Sequence, residues 1–286
     1  MTLSFIELSP VGLLSVSGPD AFTFLQGQLT CDLNDLMPGK NQLGAHCNLK
    51  GRMQSLSRVI LIEENNYLLR MPLSMVDNAL QNLKKYALFS KVTLVDVSQQ
   101  YRVMGIVGTG ANAFVNSHNW NEKVHIVEIS PTPERLELLS LSALNIPMEA
   151  QPMNWDLLDI QSGIPAVYPE TMDAFLPHHV NLFELGGIGL KKGCYLGQEI
   201  IARMHYKGNI KKHLVHAYIE DNLGYSLPQP GDPVIIPRTS SEAPGIIVRA
   251  AVSDKGFECL LVIDGQYANL ENAHLYSETG PMLKPI

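Results

Sequence analysis

The chain lacks the features of a disulfide-bonded, membrane-spanning or nucleic-acid-coating protein. Four cysteines stand far apart with no CxxC pair, and no histidine spacing converges on a metal, which argues against a disulfide framework or an intrinsic zinc site. No apolar run is long enough to span a bilayer, and the first ten residues lack the basic and apolar regions of a secretory signal. The formal net charge of −7 argues against wholesale coating of nucleic acid. These absences predict a cytoplasmic protein with no membrane association and no metal site of its own.

The remaining sequence predicts an α+β fold with an ample core. With 286 residues and 45% hydrophobic content, the chain can form one large domain or two to three smaller ones. Alternating apolar residues predict strands, and polar or proline-containing starts predict helices between them. The predicted strands are Val11–Ser17, Leu56–Ile62, Tyr67–Met71, Val92–Val97 and Tyr101–Val107, and the predicted helices are Ala21–Gln26, Ser74–Ala87, Thr132–Leu144, Asn154–Gly163 and Gln198–His205. Because these elements follow no regular βαβ order, they favour α+β layers over a doubly wound sheet.

The character of the sequence changes after residue 212. Short β-prone runs then follow one another, separated by proline, glycine and aspartate turns, without a convincing helix. The runs are His213–Ile219, Pro233–Ile236, Gly245–Val252 and Phe257–Ile263. This composition is typical of a small antiparallel barrel or sandwich. We therefore predict two domains, 1–212 and 213–286.

A glycine-rich segment, Gly108–Ala113, matches a loose dinucleotide-binding pattern, and Glu128 lies where an acid would bind a ribose hydroxyl. However, the segment available for the following helix, 111–117, is short, and no βαβ unit continues. The sequence favours an ordinary turn.

One cysteine has a distinctive setting. Cys194 lies between two glycines, follows Lys191 and Lys192, and precedes the predicted helix Gln198–His205. Lysines and a helix N-terminus both favour thiolate over thiol, so this setting favours a functional role over a buried structural one. A lone cysteine can attack an electrophile, be oxidised, or donate one thiolate to a metal or cluster completed by another molecule. The other cysteines, which are predicted to be small buried residues, are Cys31, Cys47 and Cys259.

The stretch around Cys194 resembles the signature of the YgfZ family, the folate-binding iron–sulfur maintenance proteins. The matching residues are Lys192, Gly193, Cys194, Tyr195, Leu196, Gly197, Gln198, Glu199, Ala202, Arg203, Lys207 and Gly208. Three further blocks agree in the expected order, namely 25–30, 45–53 and 83–92. Four ordered blocks are a specific signal.

The resemblance implies a fold like that of the glycine-cleavage T-protein, with two α+β subdomains around a central folate pocket and a C-terminal antiparallel β-barrel. It implies binding of tetrahydrofolate or a derivative, partnership with iron–sulfur enzymes or cluster assembly proteins and, through one such enzyme, support of tRNA methylthiolation. It also implies that Cys194 is the functionally critical residue.

The expected folate contacts are only partly present. Trp155 matches the second of two tryptophans that contact folate in bacterial members, whereas Val11 lies where the first would be. T-protein relatives carry an acid that can bond the pterin where this chain has Gln161, an uncharged side chain that both donates and accepts hydrogen bonds. From the residues alone, Trp155 is equally a packing anchor or a surface for a flat heteroaromatic ligand.

One absence argues against aminomethyl transfer. True aminomethyltransferases carry acids in the strand after a Gly-Gly turn, but the matching stretch here, 51–58, has no carboxylate to steady a cationic centre or manage its proton. The sequence therefore favours a folate-binding accessory factor over a one-carbon transferase.

Direct contact with tRNA is a further alternative. The segment 191–212 contains six lysines and arginines but only one acid, Glu199. This basic stripe would suit a tRNA-binding module, although an ordinary solvated face is favoured. Within the main hypothesis, three basic residues, Lys191, Lys192 and Arg203, would keep the thiolate anionic. Alternatively, they would attract the glutamate tail of folate and acidic partners.

Overall fold

A computed structural model describes residues 3–8, 10–37, 39–118, 120, 124–142, 144, 146, 154–220, 224–237 and 245–286. Within these ranges every strand pairing is antiparallel. The strands, numbered in chain order, are β1 Ser4–Glu7, β2 Val11–Ser17, β3 Asn41–Cys47, β4 Met53–Glu63, β5 Asn66–Pro72, β6 Thr93–Asp96, β7 Arg102–Val107, β8 Val124–Pro131, β9 Glu134–Ser140, β10 Lys212–Glu220, β11 Pro233–Ile235, β12 Gly245–Ser253, β13 Gly256–Asp264, β14 His274–Leu275 and β15 Lys284–Pro285. The α-helices are α1 Ala21–Gln28, α2 Val76–Lys84, α3 Ala111–Ser117, α4 Trp155–Gln161 and α5 Gln198–Lys207.

The strands form three sheets. A five-stranded sheet has the order β3-β4-β5-β2-β6, a four-stranded sheet the order β1-β7-β9-β8, and a six-stranded sheet the order β14-β11-β12-β13-β10-β15. The antiparallel pairing around β7, α3 and β8 is incompatible with a dinucleotide-binding βαβ unit, so the favoured interpretation of Gly108–Ala113 as a turn agrees with the fold. The predicted α+β class is confirmed.

The prediction of a helix over Thr132–Leu144 is wrong, because this segment forms β9 between β7 and β8. Its side chains alternate: Arg135 and Glu137 point toward buried ionic partners, while Leu136 and Leu138 enter an apolar cluster on the other side of the sheet. The glutamates and leucines have good helix propensity, but two neighbouring strands and buried ion pairs outweigh it.

Both boundaries of α2, Val76 and Lys84, differ from the predicted Ser74 and Ala87. Helix α2 begins at Val76 after a single 3₁₀ turn, and the side chain of Ser74 does not cap it. By contrast, the Asn154 side chain caps α4 as predicted, accepting a hydrogen bond from the Leu157 N–H at 3.3 Å. This cap satisfies one of the otherwise unpaired N–H groups in the first turn, which begins at Trp155.

The third sheet shares a core with the first. Val248 and Leu260 of the six-stranded sheet belong to the same buried cluster as Leu14 and Leu69 of the five-stranded sheet. All strands of the six-stranded sheet come from residues 212–285, and the domain boundary at residue 212 stays a prediction. In the part of the chain described here, no helix is long and apolar enough to cross a membrane.

Candidate functional site

A cavity of about 390 Å³ lies where the three sheets meet. All three sheets and α4 contribute to its lining. The lining residues used below are Glu7, Val11, Arg58, Arg70, Glu137, Trp155, Asp156, Asp159, Tyr168 and Arg249. The structure thus brings two of the residues predicted to contact folate, Val11 and Trp155, to one cavity.

Trp155 is a buried wall of this cavity. Its ring lies against Gly105, where an added Cβ would come within 2.4 Å of a ring carbon. The guanidinium of Arg135 lies 5.4 Å from the ring centroid, a cation–π arrangement. The indole Nε1 is buried and has no hydrogen-bond partner. Trp155 is therefore a packing residue and also presents an unused donor at the cavity.

An ionic network holds the cavity together. Asp159 accepts hydrogen bonds from Arg135 at 2.9 Å and from Arg249 at 3.2 Å, and Arg249 also reaches Asp156 at 2.6 Å. Burial alone would raise the pKa of the Asp159 carboxyl, but Arg249, Arg70 and Arg135 hold that pKa below its ordinary value. The network therefore keeps Asp159 ionised and attaches α4 to β12.

A second buried ion pair joins the five-stranded sheet to the four-stranded sheet. Arg70 of β5 contacts Glu137 of β9 at 3.0 Å, and Glu137 is almost completely buried. The stretch 51–58 itself has no carboxylate, but Glu137, Asp156 and Asp159 all line the cavity. They come from β9 and α4, far in sequence from the stretch 51–58, so the argument from that stretch did not detect them.

Several polar atoms around the cavity lack partners. They are Arg70 Nε, Glu137 Oε2, Trp155 Nε1 and Arg249 Nε. Buried polar groups are nearly always hydrogen-bonded, so a cluster of unpaired ones at a cavity wall indicates a polar ligand or water. Glu137 Oε2 offers an acceptor, and the other three atoms offer donors.

Gln161 lies elsewhere. It lines a separate surface depression, and its amide nitrogen is 3.2 and 3.3 Å from the two carboxylate oxygens of Glu258. The structure does not bring Gln161 together with Val11 and Trp155, because it sits at the far end of α4. Its assignment as a pterin contact remains a prediction from resemblance.

Cys194 is exposed, whereas Cys31, Cys47 and Cys259 are buried. Burial raises the pKa of Cys31 and of Cys259 to about 12, and raises that of Cys47 further, so these three thiols are unreactive. The predicted difference between Cys194 and the other cysteines is confirmed in its accessibility. None of residues 191–199 lines the cavity, so the thiol and the cavity are separate.

Lys192 connects the Cys194 loop to the segment 29–31 through hydrogen bonds. Its ammonium donates to the carbonyl oxygens of Leu29 at 2.9 Å and Cys31 at 2.5 Å, and lies 5.1 Å from the ring centroid of Tyr195. Burial lowers the pKa of Lys192 to about 8. The prediction that this lysine attracts an anionic ligand or partner is therefore wrong, because the ammonium is buried against backbone carbonyls. Lys191 and Arg203 are both exposed.

The four sequence blocks meet around this loop. Leu196 N–H donates to the carbonyl of Gly27 at 3.1 Å, and Gly197 lies against Asn48 and Gly51. Gly197 has φ of +80° and stands at the N-cap position immediately before α5, and Gln198 and Glu199 lie in the first turn of that helix. The ring of His46 lies 5.9 Å from that of Tyr86, which connects the second block to the third. The blocks thus build one structural unit that presents Cys194.

Comparison with known proteins agrees with this architecture. Residues 2–127 match the GCVT N-terminal domain. The glycine cleavage system aminomethyltransferase T from Bartonella henselae has a similar fold, with a TM-score of 0.70, 13% identity and coverage of 98% of this chain and 84% of that protein. The predicted T-protein-like fold is confirmed.

Curated relatives at higher identity are named tRNA-modifying protein YgfZ. The protein from Colwellia psychrerythraea is 32% identical in an alignment 228 residues long, and the match covers 73% of this chain and 69% of that protein. The protein from Photorhabdus laumondii is 34% identical in an alignment 232 residues long, and the match covers 74% of this chain and 70% of that protein. At this identity over more than two thirds of each protein, the chain belongs to the YgfZ family.

Proposed function

We propose that this protein is a folate-binding accessory factor for iron–sulfur cluster assembly or repair that supports tRNA modification through Cys194. The tRNA-modifying names of its relatives support the link to tRNA modification. The observation that carries the proposal is the separation of an exposed thiol, held on a braced loop, from a polar-lined central cavity. This arrangement suits a protein that binds a ligand in one place and serves a partner in another.

The central cavity has the chemistry to hold tetrahydrofolate. A pterin is a flat heterocycle with donors and acceptors on its edge, and the cavity offers the indole wall of Trp155 together with unpaired donors and an acceptor on Glu137. Arg58 and Arg70 supply positive charge for the carboxylates of the folate tail. When bound, a reduced folate would supply one-carbon or redox chemistry. The protein residues bind and orient it.

Cys194 is the residue we assign to the cluster. An exposed cysteine can offer a single thiolate to a cluster completed by a partner, but cannot hold a cluster alone. Among the described residues there is no group of three or more His, Cys, Asp or Glu side chains that could hold a metal ion. In this proposal the other ligands of the cluster come from the partner.

The decisive experiment replaces Cys194 with alanine in cells that lack the native gene. We expect Cys194→Ala to lose support of iron–sulfur enzymes and to lower the level of methylthiolated tRNA nucleosides, while the purified variant unfolds at the wild-type urea concentration. Cys194→Ser serves as the isosteric control and should fail equally, since a hydroxyl does not replace a thiolate. Full complementation by either variant would contradict the proposal.

A folate-dependent one-carbon transferase is the second candidate, and the unpaired oxygen of buried Glu137 is the observation that favours it. Turnover with tetrahydrofolate and an aminomethyl or methyl donor is required by this alternative and not by an accessory role. Product formation that depends on Glu137 would replace our proposal. Direct tRNA binding by the basic stripe would instead appear as tRNA affinity that falls steeply with salt.

A further inference from the structure

Three segments, 48–52, 84–92 and 191–197, are linked to one another by contacts that run through α1 and the strand before the turn 48–52. The loop 191–197 rests on the turn 48–52 through Gly197, and its Leu196 is bonded to Gly27. Gly27 and Tyr86 line the same surface depression, and the ring of His46, just before the turn 48–52, lies 5.9 Å from that of Tyr86, so the segment 84–92 adjoins the helix that holds Leu196 and the strand that leads into the turn. We call the exposed part of these three segments the thiol face.

The thiol face carries large apolar side chains that are exposed to solvent and lie outside the buried apolar clusters. Phe89 is fully exposed, its neighbour Leu88 is 79% exposed, and Leu49 on the adjoining turn is 76% exposed. None of the three belongs to a buried apolar cluster or its partly buried fringe. A single exposed apolar residue is common, but three on segments linked to the exposed thiol loop indicate an interaction site.

The charge of the thiol face has one sign. The segments 48–52, 84–92 and 191–197 contain Lys50, Arg52, Lys84, Lys85, Lys91, Lys191 and Lys192, and they contain no aspartate or glutamate. Lys192 is buried, and Arg52 donates to the carbonyls of Asp173 and Ala174, but the other lysines are exposed. The nearest acid along the depression, Asp20, accepts a hydrogen bond from the Lys91 backbone. In a chain of net charge −7, this local bias complements an acidic surface.

We propose that the thiol face docks an acidic protein that offers an apolar socket to Leu88 and Phe89, and that this protein is the iron–sulfur client which meets Cys194. The identity of the partner rests on the proposed function. Aliphatic side chains such as Leu49 and Leu88 gain from burial in a protein socket, whereas single-stranded RNA sites use aromatic platforms for stacking. The apolar residues therefore favour a protein over RNA.

The test measures binding of a purified tRNA-methylthiolating iron–sulfur enzyme from the source organism, labelled for fluorescence anisotropy. We expect the wild type to bind and Phe89→Ser to weaken binding by about tenfold or more, as for a central hot-spot anchor. Lys91→Glu should slow association, with a smaller effect at high salt. Because Phe89 has no contacts in the core, Phe89→Ser should unfold like the wild type.

Matched controls lie far from the thiol face. Leu141 is 56% exposed and Lys255 is exposed on the turn between β12 and β13, so Leu141→Ser and Lys255→Glu should leave binding unchanged. Absence of wild-type binding, or equal binding by Phe89→Ser, overturns the docking proposal. If Phe89→Ser weakens binding of purified tRNA but not of the enzyme, the face is an RNA site and the proposal is also wrong.

The Cys194→Ala variant separates this inference from the proposed function. It should dock with wild-type affinity and still fail to support iron–sulfur enzymes, because docking uses the rim and not the sulfur. Loss of docking in Phe89→Ser together with full activity of Cys194→Ala would leave the docking face in place and remove the proposed function. If Cys194→Ala loses activity but the wild type does not bind the enzyme, the proposed function stands and the docking proposal is wrong.

Discussion

Four cysteines differ in one physical property, their access to water. Burial holds Cys31, Cys47 and Cys259 as neutral thiols, while Cys194 stands exposed on a loop. The same contrast separates two glutamates of the cavity: Glu137 is buried with one unpaired oxygen, and Glu7 is about half exposed. Burial therefore makes side chains of the same type differ in accessibility and in hydrogen bonding.

Folate affinity should depend on the buried glutamate. Glu137→Gln removes the charge that accepts a hydrogen bond at the cavity, and we expect tetrahydrofolate binding to weaken by about tenfold, since a hydrogen bond to a charged group contributes about 1.5–3 kcal/mol. Isothermal titration calorimetry measures this change. Glu7→Gln, at an exposed position of the same cavity, should alter affinity by less than about twofold. Equal effects of both variants would exclude a specific role for Glu137.

Acid should destabilise the protein through His46. Burial, and to a smaller extent Lys85, lowers the pKa of His46 to about 4, whereas an unfolded histidine titrates near its ordinary value of 6.5. The unfolded chain then binds more protons between these values, so the stability present above pH 6.5 is lost as pH falls toward 4. Between about pH 7 and pH 5 this amounts to about 2 kcal/mol.

Urea unfolding at the two pH values tests this expectation. His46→Leu should reduce the difference in unfolding free energy between them by about 2 kcal/mol. Leu29→Ala, which truncates the buried residue that pairs with His46, removes no titrating group and should lower stability equally at both pH values. An unchanged pH difference in His46→Leu would show that other groups, such as His179, carry the acid sensitivity.

At the scale of elements, local conformation decides how the thiol is presented. Gly197 adopts φ of +80° and lies so close to the turn 48–52 that an added Cβ would come within 2.7 Å of the Asn48 carbonyl oxygen. Gly193, in the same motif, has no atom within 4 Å of that position and no left-handed φ. The motif thus contains one glycine required by backbone geometry and one that is not.

These glycines form a matched pair of substitutions. Gly197→Ala should lower the free energy of unfolding by about 2 kcal/mol or more, from left-handed strain and the clash with Asn48. Gly193→Ala should change it by less than about 0.5 kcal/mol. Denaturant unfolding and the rate of Cys194 modification by a thiol reagent measure both effects. Similar stabilities of the two variants would show that the turn relaxes.

At the scale of the whole molecule, ion pairs hold the three sheets around the cavity. Arg249 of the six-stranded sheet reaches Asp156 and Asp159 of α4, and Arg70 of the five-stranded sheet reaches Glu137 of the four-stranded sheet. The site therefore depends on how the sheets assemble, and no single sheet contains it.

Arg249→Met should destabilise the whole chain. It leaves Asp159 buried with one partner fewer, and breaking a buried pair in this way costs about 3–5 kcal/mol. Lys40→Ala, which breaks the exposed pair with Glu128, should cost less than about 1 kcal/mol. Urea unfolding compares the two. A loss below about 1 kcal/mol in Arg249→Met would show that the remaining arginines compensate.

Local sequence patterns predicted many of the strands and singled out the setting of Cys194. Alternation predicted β2, because successive side chains of a strand point to opposite faces of the sheet. Apolar runs around a polar turn predicted the hairpin of β4 and β5, and short β-prone runs predicted β10 to β13 of the six-stranded sheet. Asn154 marked the start of α4, since a cap is a local hydrogen bond. The Cys194 motif and the three ordered blocks indicated the family from the sequence alone.

Tertiary structure alone decided the rest. It turned 134–140 from a predicted helix into a strand, placed Lys192 under the thiol loop, and brought Glu137 beside Arg70 across two sheets. These outcomes depend on pairing between segments distant in the chain, where burial and charge compensation outweigh local propensity. For the same reason, only the fold could show that Val11 and Trp155 share a cavity and that Gln161 lies elsewhere.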